Sequence, residues 1–208
     1  MEARVISLEF DRLHLAGGLR IYHEEVIPAA KQQAGFAGAL LLLDRDIGHA
    51  SSISFWQSAG ALAATDTGSY FPDQIKRLQK VFTTSPERED YEVGVFARSE
   101  NPQPPKFARV VRATFHSSRA DEGVKVYEQT LIANARKQQG FTAALLMIQR
   151  GTGKGISISL WDNEDTLSGG EISPYYIGQI FKLIPFVASL PDREQYEVGF
   201  YLDTGAPI

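Results

Sequence analysis

The chain has no cysteine in its 208 residues, only two methionines, two tryptophans and four histidines, and no strong excess of charge of either sign. Without cysteine there is no disulfide framework, no thiolate zinc site, no iron–sulfur cluster held by this chain and no cysteine nucleophile, which suits a reducing compartment. Long hydrophobic runs are missing as well. The longest apolar stretch, Phe36 to Leu43, falls far short of the roughly 20 residues a membrane-spanning helix needs. The opening Met1-Glu2-Ala3-Arg4 lacks the charged-then-apolar pattern of a secretory signal. We therefore expect a cytoplasmic protein with no membrane partner. A formal net charge of −4 without a basic stripe offers nucleic acid no electrostatic footprint, so no nucleic-acid partner is expected either. What remains is close to the globular average, 43% hydrophobic and 22% charged, which excludes wholesale disorder, collagen and coiled coil.

Laid over itself, the chain repeats at an offset of 105 residues. Arg4-Val5 recurs as Arg109-Val110, Gly35-Phe36 as Gly140-Phe141, Ser52-Ile53-Ser54-Phe55-Trp56 as Ser157-Ile158-Ser159-Leu160-Trp161, and Tyr91-Glu92-Val93-Gly94 as Tyr196-Glu197-Val198-Gly199. Single matches such as Gly18/Gly123, Tyr22/Tyr127, Tyr70/Tyr175, Gln74/Gln179 and Arg88/Arg193 keep the same register. A register that never slips is the mark of a duplicated whole unit, not of a short-period solenoid. The prolines of Ser99-Glu100-Asn101-Pro102-Gln103-Pro104-Pro105 favour an extended connector. The expected organisation is a first copy over residues 1–98, a linker over 99–106 and a second copy over 107–208.

Within each copy, hydrophobic periodicity predicts strands at Arg4 to Phe10, Phe36 to Leu43, Ser51 to Trp56 and Tyr91 to Phe96, repeated at Arg109 to Phe115, Phe141 to Ile148, Ile156 to Trp161 and Tyr196 to Tyr201. Helices are predicted over Gly18 to Gln33 and Ser69 to Phe82, and over Glu122 to Gln138 and Ser173 to Val187. Ser118 with Asp121 reads as a capping-box start, and Pro28 should kink its helix or displace the start. Gly151-Thr152-Gly153-Lys154-Gly155 precedes a strand and reads as a hairpin turn, not a phosphate cradle. The order is β-α-β-β-α-β twice: an α+β chain of two ferredoxin-like repeats. A lone unit leaves one sheet face uncovered, so the two copies are expected to form an intrachain dimeric α+β barrel, a dimer fused into one chain. Whether it pairs further as a homodimer stays open.

Each half resembles a single domain of the antibiotic-biosynthesis-monooxygenase type, in the dimeric α+β barrel superfamily. The resemblance rests on the Gly-Phe opening strand two, the Ser-Ile-Ser-Phe-Trp and Ser-Ile-Ser-Leu-Trp segments, the helix after each Trp, and the segments Pro86 to Val93 and Pro191 to Val198. It implies a small-molecule oxygenase working without a cofactor, or a haem-degrading enzyme. The haem-degrading branch is similar in its Trp, matched by Trp56 and Trp161, but also uses an Asn on strand one and a His on the second helix. Neither is present here, so haem cleavage is not expected, and no cofactor is.

Ser54 and Trp56, and Ser159 and Trp161, share a strand face by the period of two. Set beneath the helices, this face would make an apolar pocket in which an electron-rich phenol or quinol meets O₂ directly. Tyr22 and Tyr127, Gln74 and Gln179 are candidate ligand contacts, and Tyr70 and Tyr175 candidate catalytic hydroxyls. Of the four histidines only His23, on a helix beside Tyr22, is a candidate base, and the two copies would then differ. No histidine and acidic spacing marks a metal site. Two readings follow: a cofactor-independent monooxygenase acting on a small apolar, aromatic or quinone-like molecule, or a non-catalytic small-molecule-binding or stress-associated protein of the same fold, in which these residues simply pack the core.

Overall fold

The computed structural model describes residues 1–169, 178 and 181–205. Among the described residues eight strands are formed: β1 (Glu2–Glu9), β2 (Phe36–Asp44), β3 (His49–Trp56), β4 (Glu87–Arg98), β5 (Phe107–Thr114), β6 (Phe141–Ile148), β7 (Lys154–Trp161) and β8 (Asp192–Asp203). Their hydrogen-bonded order is β1-β3-β2-β8 in one half of the fold and β5-β7-β6-β4 in the other, the α+β class expected.

The chain packs as two compact units, Met1–Tyr91 with Glu197–Ile208, and Glu92–Tyr196. These units cut the chain at places other than the repeat does, because the fourth strands are exchanged. In unit one, β3 pairs with β1 from Glu2↔Trp56 to Glu9↔His49, and β2 pairs on its far edge with the end of β8, from Gly38↔Asp203 to Leu43↔Glu197. In unit two, β6 pairs with the end of β4, from Glu92↔Ile148 to Arg98↔Ala143. Phe200 and Leu202 of β8 therefore pack against the core of unit one, and Val95 and Ala97 of β4 belong to the core of unit two. Segment 99–106 holds no regular element and is tied at its ends, Ser99 N–H to Thr142 O and Lys106 N–H to Trp161 O, both at 2.8 Å.

The first helical segment begins earlier than its periodicity suggests. Asp11 accepts from Leu13 N–H at 2.9 Å and opens a 3₁₀ turn, followed by α1 (Leu15–Ile21), a π turn over Tyr22–Val26 and α2 (Ile27–Lys31). Pro28 neither breaks this segment nor sets its start. Ile27 N–H reaches back five residues to Tyr22 O, and α2 opens with the proline near its first position, where a missing N–H costs little. The second copy widens in the same way between α5 (Ala120–Tyr127) and α6 (Ala133–Ala135), over Glu128–Ile132 and without a proline, so the π turn belongs to the repeat and not to Pro28. Ser118 is not a cap: it lies inside the 3₁₀ turn Ser117–Arg119, and neither start there carries a side-chain cap.

A short helix follows each Trp, α3 (Ala59–Ala64), capped by Ser58, and α7 (Glu164–Gly169). Between them in sequence, α4 (Tyr70–Leu78) ends four residues before expected, because the chain turns to bring Phe82 into an isolated bridge with Phe10. Most of the helix predicted over Ser173 to Val187 lies outside the described residues. No helix among the described residues is long and apolar enough to cross a membrane.

Candidate functional site

Alternation along β1 and β3 places Arg4, Ile6 and Leu8 beside Ser52, Ser54 and Trp56 on one face. That face lies under the helices. With Tyr22 of the π turn and Tyr70 and Gln74 of α4, it lines an apolar cavity of about 120 Å³ in unit one. An apolar cavity of ~150 Å³ admits benzene, so one aromatic ring is the natural scale of an occupant.

The polar groups around this cavity are few and mostly paired. Tyr22 Oη shares a hydrogen bond with Ser52 Oγ at 3.1 Å, and Trp56 Nε1–H donates to Ser54 Oγ at 3.0 Å. The indole is met edge-on by Phe36 at 5.6 Å and Tyr70 at 6.5 Å between ring centroids. Burial pushes Tyr22 up to about 12 against the opposing pull of its Ser52 bond, and burial likewise pushes Tyr70 up to about 12 against the nearby charge of Arg4. Both phenols are therefore neutral in ordinary buffers and serve as hydrogen-bond partners, not bases. Gln74 is 9% exposed. Its Nε2–H donates to Tyr70 O, one turn back, at 3.3 Å, which orients the amide, and Oε1 is left buried without a partner in the protein.

Arg4 reaches the cavity wall from a fully inward position on β1 and is only 3% exposed. A buried guanidinium must be paired, and three groups supply this. Arg4 holds Asp66 and Asp90, each through two bonds of 2.9 and 3.1 Å, and donates to Thr65 Oγ1 at 2.8 Å. Arg88 closes the ring by holding the same two carboxylates, at 2.8 Å for Asp66 and 2.7 Å for Asp90. Two cations and two anions make the cluster neutral, and both guanidinium groups lie over the Phe71 ring, at 5.1 and 5.3 Å. Hydrogen bonds from Arg88, then from Arg4, hold Asp66 below the usual carboxylate range. Burial works against ionisation of Asp90, but the bonds and charges of Arg4 and Arg88 outweigh it and hold Asp90 low too.

His23 does not join the site. One step along the helix from Tyr22 turns its ring outward by about 100°, and it is exposed, edge-on to Phe200 at 4.9 Å. His14, His49 and His116 also stay out of the described cavity linings. In unit two, Tyr127, Ser157, Ser159 and Trp161 line a cavity of about 40 Å³. It keeps the same bonds, Tyr127 to Ser157 at 2.7 Å and Trp161 to Ser159 at 3.0 Å. Tyr175 and Gln179 lie outside the described residues. Among the described residues no group of three or more His, Cys, Asp or Glu is placed to hold a metal ion, and no imidazole faces either cavity to ligate a haem iron.

The Arg4 cluster was not visible as a site in the sequence, although both of its arginines recur at the 105-residue offset as Arg109 and Arg193. A charged residue in phase with Ile6 and Leu8 on a strand was the available signal.

No family model matches the chain. An uncharacterized protein of Mycobacterium tuberculosis strain H37Rv, Rv2557, is 24% identical over 169 residues, spanning 79% of this chain and 73% of its own. A solved structure of a proposed monooxygenase from Lactobacillus acidophilus NCFM superposes with a TM-score of 0.77 at 13% identity, over 97% of this chain and 95% of that one. The chain shares the α+β fold of that structure. An anthrone oxidase-like protein shares the fold with a TM-score of 0.69 at 15% identity, over 99% of this chain and 94% of its own.

Proposed function

We propose that the unit-one cavity binds a small aromatic or quinone-like molecule and that the chain oxygenates it without a resident cofactor. The observation that carries this reading is the cavity itself: apolar, about 120 Å³, walled by the rings of Phe36, Trp56 and Tyr70, and floored by serine hydroxyls. Such a space excludes water and holds an electron-rich ring where O₂, itself apolar, partitions. In a reaction of this type the keto tautomer of a phenol presents a ring CH₂ that becomes C=O, one oxygen atom of O₂ enters the product and the other leaves as water, so substrate and O₂ balance each other without a further reductant. The monooxygenase and anthrone oxidase-like descriptions of proteins sharing the fold support the same class.

The described walls hold no free base. Tyr22 and Tyr70 are neutral, and Asp66 and Asp90 are locked to arginines. The substrate must therefore be one that ionises by itself once its oxygen receives hydrogen bonds from the site's hydroxyls. Oxygen uptake with a panel of phenols and hydroquinones tests the reading. Trp56→Ala should lower the rate by more than about tenfold, whereas rates equal to the wild type would remove the cavity from the reaction.

The outward placement of His23 favours a second reading, in which the cavity binds its ligand and leaves it unchanged. Saturable binding without oxygen uptake across the panel would establish that one instead.

A further inference from the structure

We propose that Gln74 selects the ligand of the unit-one cavity, accepting a hydrogen bond from a hydroxyl on an aromatic ring whose second oxygen takes hydrogen bonds from the serine side of the site. This rests on the reading of the cavity as a ligand site and adds the chemistry that the ligand must carry.

The argument is an inventory of donors and acceptors. Gln74 is nine-tenths buried and lines the cavity, and one of its two amide N–H groups is donated to Tyr70 O. Its Oε1 is the one buried side-chain oxygen or nitrogen among the described residues with no partner in the protein. Leaving an acceptor in that state costs stability, and only a group that brings a donor relieves it. The opposite holds for the strand. Ser54 Oγ already accepts the indole N–H, so its own hydrogen is available to a neighbour, and the Tyr22–Ser52 pair shares one hydroxyl hydrogen and keeps the other. The cavity thus presents one unpartnered acceptor from α4 and two donors from the side of β3, separated by apolar wall. A ring with a hydroxyl at one position and an ether, carbonyl or second hydroxyl oxygen at another matches this set. An ether in place of the first hydroxyl does not.

The test is calorimetric titration of the full chain with 4-methoxyphenol and with 1,4-dimethoxybenzene, which differ by one O-methyl group. The wild type should bind the phenol at least about tenfold more tightly, and in the near-isosteric Gln74→Met the ratio should fall to within about twofold, since a preference caused by size alone would survive the substitution. Thermal denaturation should show Gln74→Met to be at least as stable as the wild type, because it removes the orphaned acceptor. If that variant does not fold, Gln74→Leu gives the same comparison. Equal binding of both probes by the wild type, or a ratio unchanged in the variant, overturns the role of Gln74 while leaving the cavity as a ligand site. Failure of both probes to bind overturns the cavity reading and this one with it.

Discussion

Trp56 donates its indole N–H to Ser54, two residues back on the same strand, at 3.0 Å, and Trp161 makes the same bond to Ser159 at 3.0 Å. Residues two apart on a strand are neighbours on one face, so β3 and β7 each deliver an acceptor to a fully buried indole. Ser54→Ala keeps the N–H buried but removes its acceptor, at an expected cost of about 1–3 kcal/mol. For a chain of this size that lowers Tm by about 2–4 °C per kcal/mol, and Ser159→Ala should behave alike. A Ser54→Ala protein melting with the wild type would show that the indole finds another partner.

Alkaline stability should report on the cavity tyrosines. Tyr22 and Tyr70 stand at about 12 in the folded chain, against about 10 for an exposed phenol. The folded state holds their protons more tightly, so their contribution is fully present below pH 10 and is lost as the pH rises towards 12. Urea unfolding across this window should show falling stability in the wild type and a shallower fall in Tyr22→Phe.

Acid stability should report on the arginine cluster with the opposite sign. Asp66 and Asp90 are held below the usual carboxylate range by Arg88 and Arg4. Their contribution is present above pH ~4, the unfolded value, and is lost as the pH falls through their folded values. Asp90→Asn should therefore be clearly less stable than the wild type at pH 7 and approach it at low pH. A difference independent of pH would mean that packing, not charge, links Asp90 to Arg4.

Glycine-to-alanine changes on the first helical segment of each copy should move in opposite directions. Gly17 is exposed in α1 with nothing near its missing side chain, so Gly17→Ala should stabilise by about 0.5–1 kcal/mol. A side-chain carbon on Gly123 of α5 would come within 2.8 Å of the Phe115 ring. Gly123→Ala should destabilise by about 1–3 kcal/mol, and chemical denaturation of the two variants makes the comparison.

Much of this architecture could be read from local pattern, and the misreadings have local causes. The Ser-Ile-Ser-Phe-Trp segment gave both the strand and its inward face, since a period of two settles each at once. Tyr196 to Tyr201 likewise read as strand, the middle of β8, but no pattern within it named β2 as its partner, because pairing is chosen by neighbours far off in sequence. His23 was misjudged by helical phase: standing next to the inward Tyr22 is what turns it outward. The Arg4 cluster was hidden because Asp66, Arg88 and Asp90 come from a turn and a strand start whose charged residues read like any that face water. Gln74 was singled out with Tyr70, but its unpaired oxygen could not be known before the amide was seen bonded to its own helix.

The covalent joining of the two copies has a genetic corollary. In a homodimer of single repeats every substitution would strike both halves, so a charge that suited one pocket and harmed the other could not persist. Here each codon serves one half only. Asp90, which closes the ring around Arg4, corresponds to Gln195 at the 105-residue offset, an amide that cannot balance a guanidinium in the same manner. Fusion thus gave each pocket its own mutational history, and one can drift while its twin is held.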